Sequence, residues 1–422
     1  MSGFTRRTVV HGAAATALAA TVLAANGGCA RRRPPDRLRV AFSPTTLTPM
    51  YREIAAAFER AHPGTAIELM PSASYAALMQ RDFRLALIED EPDVSHIGLN
   101  HIRFYVERGL AQPLSGRIGE ARGAILTTHA AIGRVGAEVH ALPFALSVPV
   151  SYLNGDLLRR HGHDPHQLLE ADWPALLDAA TAVSRSGLPN SGIYFDYYAG
   201  SSLAWQMLVA SRGGRMMSSD ERRIAFGGAA GLWSVELLHA LGRAGQIDMS
   251  RENARMAFSS GQLGIYQNTS ANIRRFTDNA RGYELLVTPL PTAAGGRLPA
   301  AGNAVAIVTR DAARHSLAWA YVRFACGAEA QTIMARATGY LTTNRAAIDG
   351  PGHLQPLIAR QPLYRRLYRE LDRLEPWYAF PGPRSEQIAQ GITDRMRELI
   401  LGRIAPVPAL AAMVAEASAR LP

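Results

Sequence analysis

Residues 141–154 constrain the fold of this chain more than any other stretch, because they contain two prolines six residues apart. Pro143 and Pro149 each fix the backbone φ and remove a hydrogen-bond donor, so one long helix cannot form here. We expect two extended segments on either side of Ser147, followed by a helix that Asn154 opens. This order is typical of a chain that crosses between two lobes, and equally of a buried strand pair inside one domain.

Length and charge narrow the function classes. A chain of 422 residues predicts about two domains, and 48% hydrophobic with 19% charged residues is ordinary for a soluble globular protein. The net charge is +10 and every basic side chain other than histidine is arginine, which is compatible with an anionic ligand or an acidic surface partner. Because no long basic run follows residue 37, we expect no nucleic-acid binding.

The first 29 residues are predicted to be an export signal rather than part of the fold. Residues 5–10 are similar to a twin-arginine signal, and the apolar run at 12–25 is too short and alanine-rich for a membrane span. The sequence Gly-Gly-Cys that ends at Cys29 is similar to a lipobox and predicts lipidation of that cysteine. Asn26 departs from the lipobox pattern, so plain cleavage is the alternative. Residues 30–37 are predicted to be a tether.

Strand and helix patterns alternate after the tether. Residues 38–43, 66–70 and 93–98 are predicted strands, and an amphipathic helix is predicted over 48–61. This alternation implies an α/β lobe with a parallel sheet, in which ligands bind beyond the carboxyl ends of the strands. The chain beyond the crossover reads as mainly helical.

Three later segments resemble, in family order, motifs of the family 1 extracellular solute-binding proteins of bacterial ABC importers. They are residues 258–266 (Phe-Ser-Ser-Gly-Gln-Leu-Gly-Ile-Tyr), residues 283–291 (Tyr-Glu-Leu-Leu-Val-Thr-Pro-Leu-Pro), and residues 337–341 (Ala-Thr-Gly-Tyr-Leu) followed by 344–348. The ordered set is more specific than any one motif. Within the family, the chain most resembles the branch that binds glycerol 3-phosphate and glycerophosphodiesters.

The resemblance implies an α/β, two-lobed periplasmic-binding-protein fold (type II-like), with a ligand cleft between the lobes and extra C-terminal helices. We expect residues 38–147 plus 270–312 to form the first lobe and 148–269 plus 313–422 to form the second, joined by two or three crossovers. The implied function is capture of a sugar or polyol phosphate by cleft closure and its delivery to the permease subunits of an ABC importer. No cofactor, metal or catalysis is implied. We expect an exported, lipid-anchored monomer in the periplasm or at the cell surface.

The resemblance also implies ligand-binding residues that are spread over both lobes. They are Tyr75, Ser147, Trp173, Thr269, Ser270, Gly302, Asn303 and Tyr340. Phenols, hydroxyls, an amide and a glycine that admits close backbone approach suit a polar ligand. The alternative for each side chain is a structural role as a surface aromatic, a turn residue, a helix cap or a packing residue.

Two positions depart from the glycerol-3-phosphate branch. Leu99 stands where the branch has a carboxylate, and Ala389 stands where it has an arginine. That arginine would be the natural bidentate clamp for a phosphate group. Arg384 is a candidate for its place, and a solvated helix start is the alternative role for Arg384. A phosphodiester, a neutral sugar and another polyol are therefore all candidate ligands.

Other reactive side chains predict no further chemistry. Cys326 has apolar neighbours at helical spacing, which predicts a buried and inert thiol. His161, His163 and His166 share a turn and are expected to be solvated rather than metal-bound. A secreted hydrolase or a carbohydrate sensor using the same cleft is the alternative function. A hydrolase would need a paired acid and base or a nucleophile beside histidine, whereas the predicted loops offer Tyr, Ser, Thr and Asn.

Overall fold

The structure is a computed structural model that describes residues 34–121, 127–187, 191–198 and 202–422. The chain divides into two units, residues 1–37 and residues 38–422. The predicted export signal, including Cys29, lies outside the described residues. Within the described ranges, no helix combines the length and the apolar character needed to cross a membrane.

Strands and helices alternate along the chain. The strands are β1 (Arg37–Phe42), β2 (Ala66–Pro71), β3 (Val94–Gly98), β4 (Arg134–Val135), β5 (Glu138–Val139), β6 (Leu142–Ser147), β7 (Pro149–Asn154), β8 (Ser191–Phe195), β9 (Leu263–Thr269), β10 (Leu285–Pro289), β11 (Leu298–Pro299), β12 (Ala301–Ile307) and β13 (Leu374–Glu375). The helices are α1 (Thr48–Ala61), α2 (Tyr75–Leu87), α3 (Ile102–Glu107), α4 (Gly155–Arg160), α5 (Trp173–Ser184), α6 (Leu203–Ser211), α7 (Ala229–Arg243), α8 (Arg251–Ser259), α9 (Ile273–Asn279), α10 (His315–Ala325), α11 (Ala328–Ala337), α12 (Arg345–Asp349), α13 (Gln355–Arg360), α14 (Pro362–Glu370), α15 (Ser385–Ile400) and α16 (Pro406–Ser418).

The first lobe is built on a five-stranded sheet in the order β2-β1-β3-β12-β6. Strands β1 and β3 are parallel, whereas β12 runs antiparallel to both β3 and β6. Pro143 lies in β6, at the edge of the sheet, where a missing backbone donor is tolerated. The predicted helix over 48–61 is confirmed: Pro49 stands in its first turn, and its buried stripe includes Ile54 and Phe58.

The second lobe is built on a four-stranded sheet in the order β10-β7-β9-β8. Strand β7 is antiparallel to β9 and β10, and β8 is parallel to β9. Strands β6 and β7 are consecutive in the chain but belong to different sheets, and only Val148 separates them. The two-proline segment is therefore a crossover between lobes, and the alternative of a strand pair within one domain is wrong.

Two segments depart from the predicted lobe boundaries. Residues 270–289 were expected in the first lobe, but Phe276 of α9 packs against Tyr152 of β7, and β10 pairs with β7 in the second sheet. Helices α10 and α11 were expected in the second lobe, but Trp319 and Met334 belong to the core that covers β1 and α1. An apolar stripe in the sequence shows that a face is buried without showing which sheet it covers. The third crossover therefore lies not at residue 312 but between α13, whose Leu357 packs on the first-lobe core, and α14, whose Arg366 donates to the carbonyl of Val287 on β10.

Candidate functional site

Three predicted ligand-binding residues of the first lobe come together in the structure. Tyr75 is the first residue of α2, whose preceding Ser74 accepts a hydrogen bond from the backbone N–H of Ala77 at 3.2 Å. The amide Nδ2 of Asn303, a fully buried residue on β12, donates to the hydroxyl of Tyr75 at 3.1 Å. The phenols of Tyr75 and Tyr340 lie close enough for each to influence the pKa of the other. We call Tyr75, Asn303 and Tyr340 the tyrosine cluster.

Burial keeps the two phenols of the tyrosine cluster neutral. Removal from water raises the pKa of Tyr75 well above its ordinary value, and burial likewise raises the pKa of Tyr340. A neutral phenol both donates and accepts a hydrogen bond. The cluster can therefore donate hydrogen bonds to a hydroxyl-rich ligand and accept them from it at any pH near neutrality.

The crossover places Ser147 beside the turn that carries Tyr340. The backbones of Leu146 and Leu341 exchange two hydrogen bonds, of 3.1 and 2.6 Å, which hold this turn against the end of β6. Ser147 is 1% exposed, and within the described ranges its hydroxyl has no hydrogen-bond partner. A buried hydroxyl without a partner is costly, so Ser147 is a candidate for a direct ligand contact.

Thr269 and Ser270 join the lobes at a second strand end. The backbone N–H of Ser270 donates to the carbonyl of Val148 at 2.8 Å, and its Oγ accepts from the N–H of Val148 at 3.3 Å. The carbonyl of Thr269 accepts from the hydroxyl of Tyr152 at 2.7 Å. These contacts place both residues at the hinge and use the Ser270 hydroxyl to tie the two crossovers together.

Trp173 and Gly302 have structural roles in the described residues, and for Trp173 this is the packing role given as its alternative. Trp173 is 5% exposed and packs edge-on against Phe195 and Trp233, each at 6.4 Å between ring centroids. Gly302 has a φ of 121°, and a Cβ at this position would lie 1.9 Å from the carbonyl oxygen of Ala145. The close approach of β12 to β6 therefore requires a glycine at this position, independently of any ligand.

Arg384 is engaged at the C-terminal end of the chain. Its Nη2 donates to the carbonyl of Leu421 at 3.1 Å, and the bond is exposed to solvent. Ala389 is 5% exposed and lies on the buried face of α15. Neither position supplies a guanidinium to the tyrosine cluster in this structure.

Opposite the tyrosine cluster, the second lobe carries a charged network that the sequence reasoning missed. The Nδ2 of Asn268 donates to Oδ2 of Asp196, and Nε of Arg251 donates to the same oxygen at 2.7 Å. Asn272 in turn donates to Oδ1 of Asn268 at 2.9 Å. Burial raises the pKa of Asp196, and the charge of Arg251 opposes this shift. The only feature of the sequence that pointed to this network was Asp196, an aspartate directly after an apolar strand.

Two cavities lined by described residues lie outside the tyrosine cluster. The larger, of about 560 Å³, lies beside β10 and α14; its charged lining residues are Glu170, Asp172, Arg366, Arg369, Glu370 and Arg373. The smaller, of about 80 Å³, lies between α3 and the start of α15. The larger cavity has balanced charges and includes none of the predicted ligand-binding residues. We therefore place the candidate site at the tyrosine cluster, where Ser147 has an unpaired hydroxyl and both lobes meet.

Comparisons with known proteins agree with this architecture. The family model described as "Bacterial extracellular solute-binding protein" matches residues 53–362. A protein of Brucella abortus (strain 2308) that is described as a binding protein is 23% identical over 403 residues, which cover 91% of this chain and 93% of that protein.

Solved structures share the fold at low sequence identity. UgpB from Mycobacterium tuberculosis, in complex with glycerophosphocholine, superposes with a TM-score of 0.78 at 17% identity, covering 92% of this chain and 98% of that chain. The GacH receptor of Streptomyces glaucescens, solved unliganded and with acarbose, gives a TM-score of 0.76 at 19% identity, covering 92% and 99% of the two chains. The predicted two-lobed α/β fold is thereby confirmed.

Proposed function

Because this chain belongs to the bacterial extracellular solute-binding protein family, we propose that it is the substrate-binding component of an ABC importer. We propose a polyol phosphate, either glycerol 3-phosphate or a glycerophosphodiester, as its first ligand class and a sugar as its second. The similarity to UgpB, which was solved with glycerophosphocholine, supports the first class, and the similarity to GacH, solved with acarbose, supports the second.

The observation that carries this proposal is the tyrosine cluster next to the unpaired hydroxyl of Ser147. Two neutral phenols and a buried amide at the ends of β3, β6 and β12 present donors, acceptors and flat apolar faces in one place. Polyols and sugars have hydroxyl edges and apolar faces, so this combination fits both.

Ligand capture follows from the arrangement of the two sheets around the crossovers. A ligand that contacts Tyr340 from one lobe and Thr269 from the other stabilises the closed form by its difference in affinity between the two forms. The residues at positions 147–149 and 269–270 would absorb the rotation of the lobes. The closed protein would then dock on the permease.

Export and anchoring complete the proposal. The twin-arginine-like signal would carry the protein across the membrane, and lipidation of Cys29 would hold it at the membrane surface. The tether at residues 30–37 would then leave the folded part free to meet the permease as a monomer.

A thermal-shift screen tests the proposed function. The full-length protein is mixed with glycerol 3-phosphate, sn-glycero-3-phosphocholine, glycerol, maltose and glucose. A ligand at a hundred times its dissociation constant stabilises the folded state by about 2.7 kcal/mol. We expect a shift with the phosphate compounds that Tyr340→Ala abolishes.

Tyr283→Phe is the matched control. It removes a tyrosine hydroxyl that donates to the carbonyl of Phe258 at 2.5 Å. This hydrogen bond lies near the start of β9, whereas Thr269 is at its end. This variant should keep the ligand response. A response to sugars alone would remove the phosphate class and keep the solute-binding role. Hydrolysis of any compound by the protein would instead support the secreted hydrolase.

A further inference from the structure

Arg255 on α8 lies at the end of the second lobe that faces the candidate site. A three-residue turn connects α8 to β9, so the start of α8 lies beside the end of β9. Arg251, one turn earlier on the same helix, reaches Asp196, which directly follows β8. Because β8 and β9 are parallel, the amino end of α8 and the carboxyl ends of both strands lie together.

The guanidinium of Arg255 is only partly satisfied by its neighbours. Its Nη1 donates to Oε2 of Glu252 at 3.2 Å, and the side chain of Arg255 is 21% exposed. Its Nε is buried and, among the described residues, makes no hydrogen bond. The buried hydroxyl of Tyr266 lies beside Arg255 and also has no partner in the described ranges, so it is the neighbouring acceptor for this buried N–H. The exposed part of the guanidinium is the part that a ligand oxygen can reach.

The charges around Arg255 leave a positive excess. Oε1 of Glu252 also accepts from Nη1 of Arg275 on α9 at 3.1 Å, so two guanidinium groups share one carboxylate. Arg251 is held separately by Asp196. Three arginines therefore face two carboxylates, which favours an anionic partner.

The turn that carries Tyr340 docks on the same part of the second lobe. A Cβ at Gly339 would lie 2.1 Å from the carbonyl oxygen of Ser270 and 3.0 Å from Cβ of Ile273, so the turn touches the start of α9. The charge of Arg255 lowers the pKa of Tyr340 against the larger effect of burial, which raises it. The turn at Tyr340 thus meets the start of α9 from the first lobe, and Arg255 is linked to α9 from the second lobe through Glu252 and Arg275.

From this geometry we infer that Arg255 binds the anionic group of the ligand, opposite Tyr340, and so takes the phosphate-clamping role that Ala389 cannot fill. The inference rests on the proposed function and narrows its ligand to a phosphomonoester or phosphodiester of a polyol. The fork of a guanidinium binds two phosphate oxygens at once. Arg384 is held by Leu421, and Arg251 is held by Asp196, so neither replaces Arg255.

Isothermal titration of Arg255→Gln tests this assignment. The probes are glycerol 3-phosphate, sn-glycero-3-phosphocholine, glycerol and maltose, each titrated at low and high NaCl. We expect the affinity for both phosphate compounds to fall by about 10- to 100-fold, because a charge-assisted bidentate contact is lost. The affinity for a neutral probe should change less than about twofold.

The matched control is Arg274→Gln on α9, whose arginine pairs with Asp278 at 2.9 Å and is 60% exposed. This variant removes the same charge from the same lobe and should bind phosphate compounds as the wild type does. A second variant, Arg255→Lys, keeps the charge but not the fork and should bind phosphate compounds with intermediate affinity. It also covers the case in which Arg255→Gln does not fold.

Several outcomes would overturn the inference while leaving the solute-binding role intact. One is wild-type protein that binds maltose or glycerol but neither phosphate compound. Others are equal loss of phosphate and neutral ligands in Arg255→Gln, or wild-type affinity for phosphate compounds in either Arg255 variant. Wild-type protein that binds no probe would count against the proposed function itself, and the inference would fall with it.

Discussion

At the scale of single residues, the tertiary structure shows that several predicted ligand-binding residues also have a structural role. Gly302 was predicted to let the backbone approach a ligand, yet the nearest group to its missing side chain is the carbonyl of Ala145. Trp173 was predicted to contact ligand, yet its ring packs against Phe195 and Trp233. Tyr75, Asn303 and Tyr340 differ from these residues because their polar groups gather near the unpaired hydroxyl of Ser147, with Asn303 donating to Tyr75.

Gly302→Ala provides a test at this scale. The new methyl group would meet a carbonyl oxygen at 1.9 Å on a backbone with φ of 121°, so β12 and β6 must move apart. We expect the free energy of unfolding to fall by about 2–4 kcal/mol, as urea denaturation would measure it.

Gly352→Ala is the control for this change. Gly352 has no atom within 4 Å of its ideal Cβ position, so an added methyl group meets open space. Its stability should stay within about 0.5 kcal/mol of the wild type. Equal stabilities of the two variants would show that the approach of β12 to β6 is not tight.

At the scale of elements, α5 shows how a local signal sets a helix boundary next to the larger cavity. Oδ1 of Asp172 accepts a hydrogen bond from the backbone N–H of Ala175 at 3.1 Å, and a proline stands in the first turn. Both features were readable in the sequence, because capping depends on residues within one turn. The helix begins at Trp173, directly after its capping residue.

Asp172→Ala should destabilise the protein through this cap. Loss of the side-chain acceptor leaves a backbone donor of the first turn unsatisfied, which costs about 1 kcal/mol. Asp172→Asn keeps an acceptor oxygen and should retain most of the stability. Asp178→Ala, which changes an exposed aspartate in the middle of the same helix, should cost nothing. Urea denaturation of the three variants measures these free energies of unfolding. Equal losses of stability in Asp172→Ala and Asp172→Asn would contradict the capping role.

At the scale of the whole molecule, an ion pair spans the two lobes. Nη2 of Arg103, on α3 of the first lobe, lies 2.5 Å from Oε1 of Glu221, in the loop between α6 and α7 of the second. The hydroxyl of Tyr378 donates to the same oxygen at 2.8 Å. These contacts exist only when the lobes lie in this arrangement, so they favour it over a more open one.

Glu221→Gln should therefore weaken ligand binding without touching the candidate site. Both side chains are partly exposed, so the pair is worth at most about 1 kcal/mol and the ligand affinity should fall by about two- to fivefold. Small-angle X-ray scattering of the ligand-free variant should show a larger radius of gyration than the wild type. Glu107→Gln, which removes a weaker partner of the same Arg103 at 4.0 Å within α3, should change neither quantity. An unchanged affinity in Glu221→Gln would show that this pair does not affect closure.

The sequence by itself determined the α/β class and the extended segments on either side of Ser147, but it left open whether these segments cross between lobes or pair inside one domain. Backbone constraints from proline, helix caps and apolar periodicity act over a few residues, so they can be read without knowing what each element packs against. The ordered family motifs extended this reading to a two-lobed protein with tyrosines near its cleft.

Only the tertiary structure decided which sheet each later element covers and which charges meet. Strand β10 joins the second sheet, while α10 and α11 cover the first. The surroundings of Arg255 depend on Glu252, Arg275 and the turn at Tyr340. Glu252 and Arg275 are 23 positions apart in the sequence, and Arg255 and Tyr340 are 85 positions apart. Long-range pairing of buried charges depends on how the lobes fold against each other, and no local pattern encodes it.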